Sequence, residues 1–222
     1  MGFQNLSLTI IILRALAAFS TLTLHEMVKA RVSTALGDPT PKSRGYLSDS
    51  PFKPINPLKH IEPIGFIVAI IFGFGWGHPT PTSPLYYKER QKGVFITYLT
   101  PSLVNLFAGL LVALFAGTMH ILMLPGQEYQ HVILNTIGTW SLVFLRTFAQ
   151  MSVATALFNM IPVPPLDAAK LLQVAVSPGT AIKLTQNEKL LQLILMLLIV
   201  MGVVGGIINT AASHLVWGIW TW

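Results

Sequence analysis

Four apolar stretches dominate this chain, roughly Leu6 to Ala35, Gly93 to Leu122, Val132 to Ile161 and Leu190 to Ile219. Each is long enough for a helix to cross a bilayer, which takes about 20 mostly apolar residues. In lipid every backbone N–H and C=O must be satisfied within the protein, so such stretches fold as helices packed into a bundle. The 222 residues are 53% hydrophobic and only 10% charged, which excludes an ordinary soluble domain and leaves room for one membrane domain covering residues 1–222. The expected fold is an all-α integral membrane protein with about four transmembrane helices.

A fifth apolar stretch, Ile61 to Gly77, is shorter and ends in the glycine-rich run Phe72-Gly73-Phe74-Gly75-Trp76-Gly77. Lys59 precedes it and Lys88, Arg90 and Lys92 follow it, so the positive-inside rule puts both ends on one side of the membrane. That predicts a re-entrant hairpin. Ten of the fourteen basic residues lie in three segments: Lys42, Arg44, Lys53 and Lys59; Lys88, Arg90 and Lys92; Lys170, Lys183 and Lys189. These segments are expected to be cytoplasmic, with both termini and the Lys- and Arg-free segment Pro125 to His131 outside. The net charge of +6 is therefore topological, and nucleic acid is not an expected partner. Cysteine is absent, so a metal would have to be held by His, Asp, Glu or water. The N-terminus shows neither a signal-peptide pattern nor a myristoylation signal after Met1-Gly2, so the first helix is expected to be retained.

Ionisable groups inside such spans are costly and usually face the protein interior. Thr23-Leu24-His25-Glu26-Met27-Val28-Lys29-Ala30 places three of them in the first helix. An HExxH helix sets two His one turn apart to bind zinc, with the Glu as general base. Here His25 and Glu26 fit that pattern, but Lys29 stands where the second His would be. The pair alone also reads as two polar residues satisfied within a bundle. A second site, Asn159-Met160-Ile161-Pro162-Val163-Pro164-Pro165-Leu166-Asp167-Ala168-Ala169, breaks the helix with three prolines. Its Asp167 reads as a metal ligand or as the N-cap of the next segment.

In order along the chain, these two sites and the pieces between them resemble the site-2 protease family of intramembrane zinc metalloproteases, in its compact bacterial and archaeal form. The supporting segments are Leu36 to Thr40, Arg44 to Leu47, Asn56 to Gly65, Phe74 to Pro79, Thr100 to Asn105 and Asn159 to Ala168, with an apparent insertion around Ser48 to Ile55. The resemblance implies zinc held by His25, a second His and Asp167, with Glu26 activating water to cleave a helix within a prokaryotic cell membrane. Asn159, Pro162 and Pro165 match the family's motif. Lys29, Ala168 and Thr100 depart from it.

Lys29 matters most, because an ammonium has no lone pair to offer a cation. The ammonium is expected to take the place of the zinc, pairing with Glu26, Asp167 or both. On that reading the chain is a proteolytically inactive homologue without a cofactor, acting as a binding or structural subunit with other integral membrane proteins. The alternative is an active zinc endopeptidase cleaving transmembrane helices, its ligand set completed by water, His60 or His78. Arg146, mid-span, is expected to meet Asp167, Glu26 or backbone carbonyls, and Arg14 to meet a partner subunit or snorkel to the surface. His120, His131 and His214 are assigned no role, and Trp217, Trp220 and Trp222 fit an interfacial anchor.

Overall fold

The computed structural model of the chain describes residues 7–48, 56–122 and 132–218. Lys53, most of the apparent insertion, the Pro125 to His131 segment, Trp220, Trp222 and the Met1-Gly2 start lie outside the described residues. Among the described residues the secondary structure is entirely helical.

Helix α1 spans Leu8–Ala35, α4 spans Arg90–Leu122 and α5 spans Val132–Asn159. These three are long and apolar enough to cross a membrane, and they fit an integral membrane protein. They pack on one another, with α4 and α5 in the most extensive contact. Gly109 of α4 makes that approach possible, because a Cβ there would lie 2.7 Å from Val153 Cγ2 and 2.9 Å from the Ala149 carbonyl. Close backbone approach at small residues is how membrane helices gain packing when burial from water is not the driving force.

The fourth expected span is not one straight helix. Leu190 to Ile219 falls into α8 (Glu188–Val200) and α9 (Val203–Trp217), which meet at an angle of 68°. Gly202, at the break, has a φ of +79°, a left-handed conformation that ends α8 and that side chains with a Cβ rarely adopt. The short helices α6 (Asp167–Ala175) and α7 (Pro178–Gln186) connect the proline break to α8.

Helix α3, Pro63–Phe72, follows the four-residue helix α2 at Thr40–Ser43 and a 3₁₀ turn at Pro57–His60. Ten residues rise only about 15 Å, half the apolar thickness of a bilayer, so α3 cannot cross. The chain turns back at Gly73, whose φ is +86°. The His78 N–H then donates to the His60 carbonyl at 2.8 Å, so the two ends of the stretch meet as in a re-entrant hairpin.

The tip of that hairpin exposes the last carbonyls of α3, which need donors at membrane depth. Arg14 Nη2 of α1 donates to the Ile71 carbonyl at 3.1 Å, and Asn209 Nδ2 of α9 to the Phe72 carbonyl at 2.9 Å. Arg14 caps α3 and places a cation at the negative end of the helix dipole.

Candidate functional site

Helix α1 carries His25, Glu26 and Lys29 on one face, since residues three and four apart on a helix are neighbours. The proline break after Asn159 ends α5, and the chain re-enters as α6 with Asp167 as its first residue. Leu166, not Asp167, occupies the N-cap position. The Asp167 carboxylate is thus free to face α1 rather than cap its own helix.

The four side chains meet there, each no more than 4% exposed. Lys29 Nζ lies 2.7 Å from Glu26 Oε1 and 2.7 Å from Asp167 Oδ1. Its ammonium also sits 5.7 Å from the centre of the Tyr98 ring, within cation–π range. The remaining oxygen of Asp167, Oδ2, is 2.9 Å from His25 Nε2. The remaining oxygen of Glu26, Oε2, accepts the Thr80 backbone N–H at 2.8 Å, while Thr80 Oγ1 donates to the Glu26 carbonyl at 3.1 Å. The extended chain after Gly73 is thereby strapped across Glu26. Gly77 lets it lie that close, because a Cβ there would come within 2.6 Å of Glu26 Cγ.

The hydrogen-bond network also assigns the imidazole tautomer. Asn105 Nδ2 of α4 is 3.4 Å from the Thr21 carbonyl, which can only accept, so the amide nitrogen points toward α1. The same nitrogen is 3.3 Å from His25 Nδ1. His25 Nδ1 therefore accepts, and Nε2 carries the proton donated to Asp167. Each oxygen of the two carboxylates, and each nitrogen of His25, has a partner within the protein.

Among the described residues no three His, Asp, Glu or Cys side chains converge as a metal site. His25 and Asp167 adjoin, but the next position in the cluster is an ammonium. His60 is fully buried nearby, with its ring edge-on to Tyr46 at 5.4 Å; its ring nitrogens have no side-chain hydrogen-bond partner, and the polar group acting on the ring is the Tyr46 backbone. Burial pushes its imidazole below the ordinary histidine value, against the opposing pull of the Glu26 charge. His78 is exposed and stacks on Tyr46 at 6.3 Å.

Asn159 is buried at the end of α5, where Nδ2 donates to the Thr155 carbonyl at 2.9 Å and reaches the Gly75 carbonyl at 3.4 Å. It ties the proline break to the returning hairpin, while Pro162 and Pro165 lie within the break itself. Arg146 does not join the cluster. Its guanidinium lies over the Trp217 ring at 5.5 Å, and Nε has no hydrogen-bond partner. Trp217 is half-buried on that arginine and on the core around Phe158. His120 and His214 are exposed on α4 and α9 and make no contact with the cluster. Thr80, Asn105 and Tyr98 are contacts that the motifs alone did not assign. Thr80 acts through a backbone N–H, which every non-proline residue carries and no motif can mark.

Known proteins give the same outline. The sequence model of peptidase family M50 matches residues 2–203. A protein of Bacillus subtilis (strain 168) named "Putative zinc metalloprotease YwhC" is 31% identical over 169 residues, covering 76% of this chain and 71% of that protein. No solved structure matches significantly.

Proposed function

The chain belongs to peptidase family M50, the site-2 proteases, and on that premise we propose that it is a proteolytically inactive member that serves as a binding or structural subunit for other membrane proteins. The observation that carries this reading is the Lys29 ammonium, 2.7 Å from both Glu26 and Asp167. The family's chemistry needs lone pairs turned toward a zinc ion and a carboxylate open to a water molecule. In this cluster Asp167 is spent on Lys29 and His25, and Glu26 on Lys29 and Thr80. His25 Nε2, the nitrogen facing Asp167, carries a proton instead of a free lone pair. The donor set does not suit a resident zinc.

The ion cluster supplies what the metal would otherwise provide to the fold, a positive charge between α1 and α6. Buried pairs of this kind add little net stability against an apolar core, yet removing one partner is costly. A scaffold held this way keeps its hairpin and helix faces, and those can still engage a transmembrane helix through small residues and polar contacts.

His60 favours the second reading, a working endopeptidase with an atypical ligand set. Its buried ring nitrogens have no side-chain partner, and the Glu26 charge is close enough to act on it. A cleavage assay separates the two. The chain is reconstituted with a single-pass helix, and the products are compared with those of Glu26→Gln. The inactive reading predicts no Glu26-dependent cleavage with the helix retained in co-purification, whereas cleavage that disappears in Glu26→Gln would establish the enzyme.

A further inference from the structure

Away from the ion cluster, a cavity of roughly 600 Å³ opens at the base of the re-entrant hairpin. Arg44, Lys59 and His78 line it together with Tyr46, and Leu58 and Ile61 supply its apolar side. No carboxylate is among these lining residues. Glu62, the acid next in sequence, is turned away: its carboxylate accepts the Gly65 N–H as the N-cap of α3.

The fold brings these residues together. Lys59 Nζ donates to the Arg44 carbonyl at 3.3 Å, bringing two cationic residues to one spot. Gly45, at a φ of +72°, makes room for this contact, since a Cβ there would fall 2.7 Å from Lys59 Nζ. His78 is fixed by its N–H bond to the His60 carbonyl and by its stacking on Tyr46. The Glu26 charge reaches Tyr46 from the ion cluster, but Glu26 is already paired with Lys29, so the Arg44 and Lys59 charges gathered here are left for solvent or a bound anion to compensate.

Ile61, on the apolar side of the cavity, leads through Glu62 into α3, which carries an exposed apolar face. Ile64, Ile67 and Ile71 are 55%, 54% and 41% exposed, and their spacing places them on one side of α3. Leu58, at the cavity itself, is 66% exposed. A basic hollow at the end of an unpartnered apolar stripe on a half-crossing helix has the polarity of a phospholipid, with phosphate at one end and acyl chain along the other.

We propose that this cavity is a binding site for an anionic phospholipid, its phosphate taken by Arg44, Lys59 and His78 and one acyl chain lying along Ile64, Ile67 and Ile71 of α3. The charge complementarity is that of basic pockets that hold acidic headgroups beside membrane helices. The site is independent of whether the ion cluster is catalytic.

The test uses the intact protein in nanodiscs containing equal parts phosphatidylglycerol and phosphatidylcholine, with retained lipid measured by native mass spectrometry after mild extraction. The expected result is about tenfold enrichment of phosphatidylglycerol, lost in Arg44→Gln/Lys59→Gln and kept in Arg44→Lys/Lys59→Arg. Because the charge-keeping double variant carries substitutions at the same positions, it separates lost affinity from lost folding. Glycerol phosphate in solution is the competing arm: displacement of the lipid at equal concentration would make this a soluble-phosphate site and overturn the proposal. Equal retention of the two lipids, or enrichment that survives Arg44→Gln/Lys59→Gln, would overturn it as well.

Discussion

Two buried aspartates lie near the same end of α1 and are satisfied in opposite ways. Asp38 is fully buried and surrounded by neutral donors: Ser33 Oγ and the Ser83 N–H at 2.7 Å, and the Thr40 N–H at 2.9 Å. A relay of hydroxyls stands behind it, with Thr97 donating to Tyr87 and Tyr87 to Ser33, at 3.1 and 2.8 Å. Asp167 has no backbone donor at all in its first contacts, only Lys29 and His25. Asp38 is thus held redundantly by dipoles that the loops fix in place, whereas Asp167 and Glu26 share a single cation. A carboxylate held by several dipoles tolerates the loss of one. Two carboxylates that share one lysine do not tolerate its loss, and that asymmetry marks a position where a positive centre is required.

The largest effect is expected at Lys29. Lys29→Met leaves two buried carboxylates uncompensated and should cost about 3–5 kcal/mol in reversible unfolding. Adding Glu26→Gln and Asp167→Asn should recover most of that loss. If Lys29→Met alone is nearly neutral, the two aspartates do not differ as described.

Asp38→Ala should cost less, about 2–3 kcal/mol, because it strands neutral donors rather than charges. The pH dependence sharpens the contrast. Burial pulls the Asp38 carboxyl upward, but the hydrogen bonds from Thr40, Ser83 and Ser33 outweigh it and hold the group below the ordinary aspartate value. A depressed native value stabilises the fold above the unfolded value, about 3.9, and the gain disappears as pH falls through the lower native value. Thermal melts between pH 5 and the acid limit should show this loss in the parent and a flatter profile in Asp38→Asn; identical profiles would remove Asp38 as the cause.

Tyr87→Phe removes one link of the relay and should cost about 0.5–1.5 kcal/mol by the same unfolding measurement. The gentlest probe changes no residue. Nitrogen-15 spectra of histidine-labelled protein should show a proton on His25 Nε2 and an accepting Nδ1, and a proton on Nδ1 instead would contradict the Asn105 contact.

Much of the fold was legible in the sequence because length and apolarity constrain a membrane helix strongly. Helices α1, α4 and α5 fall within a few residues of the expected spans, and the ten-residue α3 with its basic flanks reads as a hairpin. The α8–α9 break was not legible, since Gly202 and the Gly205-Gly206 pair occur in an apolar run that a straight helix also accepts. His25, Glu26, Lys29 and Asp167 could be picked out as a cluster from their motifs. Their satisfaction by Thr80 and Asn105 could not, because it depends on where the hairpin returns and how α4 is rotated. The two membrane arginines show the same limit. Charge alone left acids or backbone carbonyls open for Arg146, and a subunit contact, snorkelling or hydration for Arg14, while the fold supplies the Ile71 carbonyl for Arg14 and the Trp217 ring for Arg146.

Zinc content bears most directly on Lys29 as the occupant of the metal position. The parent chain and Lys29→His are purified from zinc-replete medium and assayed for metal per chain. The expected result is zinc well below stoichiometric in the parent and about one ion per chain in Lys29→His, where an imidazole restores the third ligand beside His25 and Asp167. Stoichiometric zinc in the parent, lost on His25→Ala or Asp167→Ala, would contradict it.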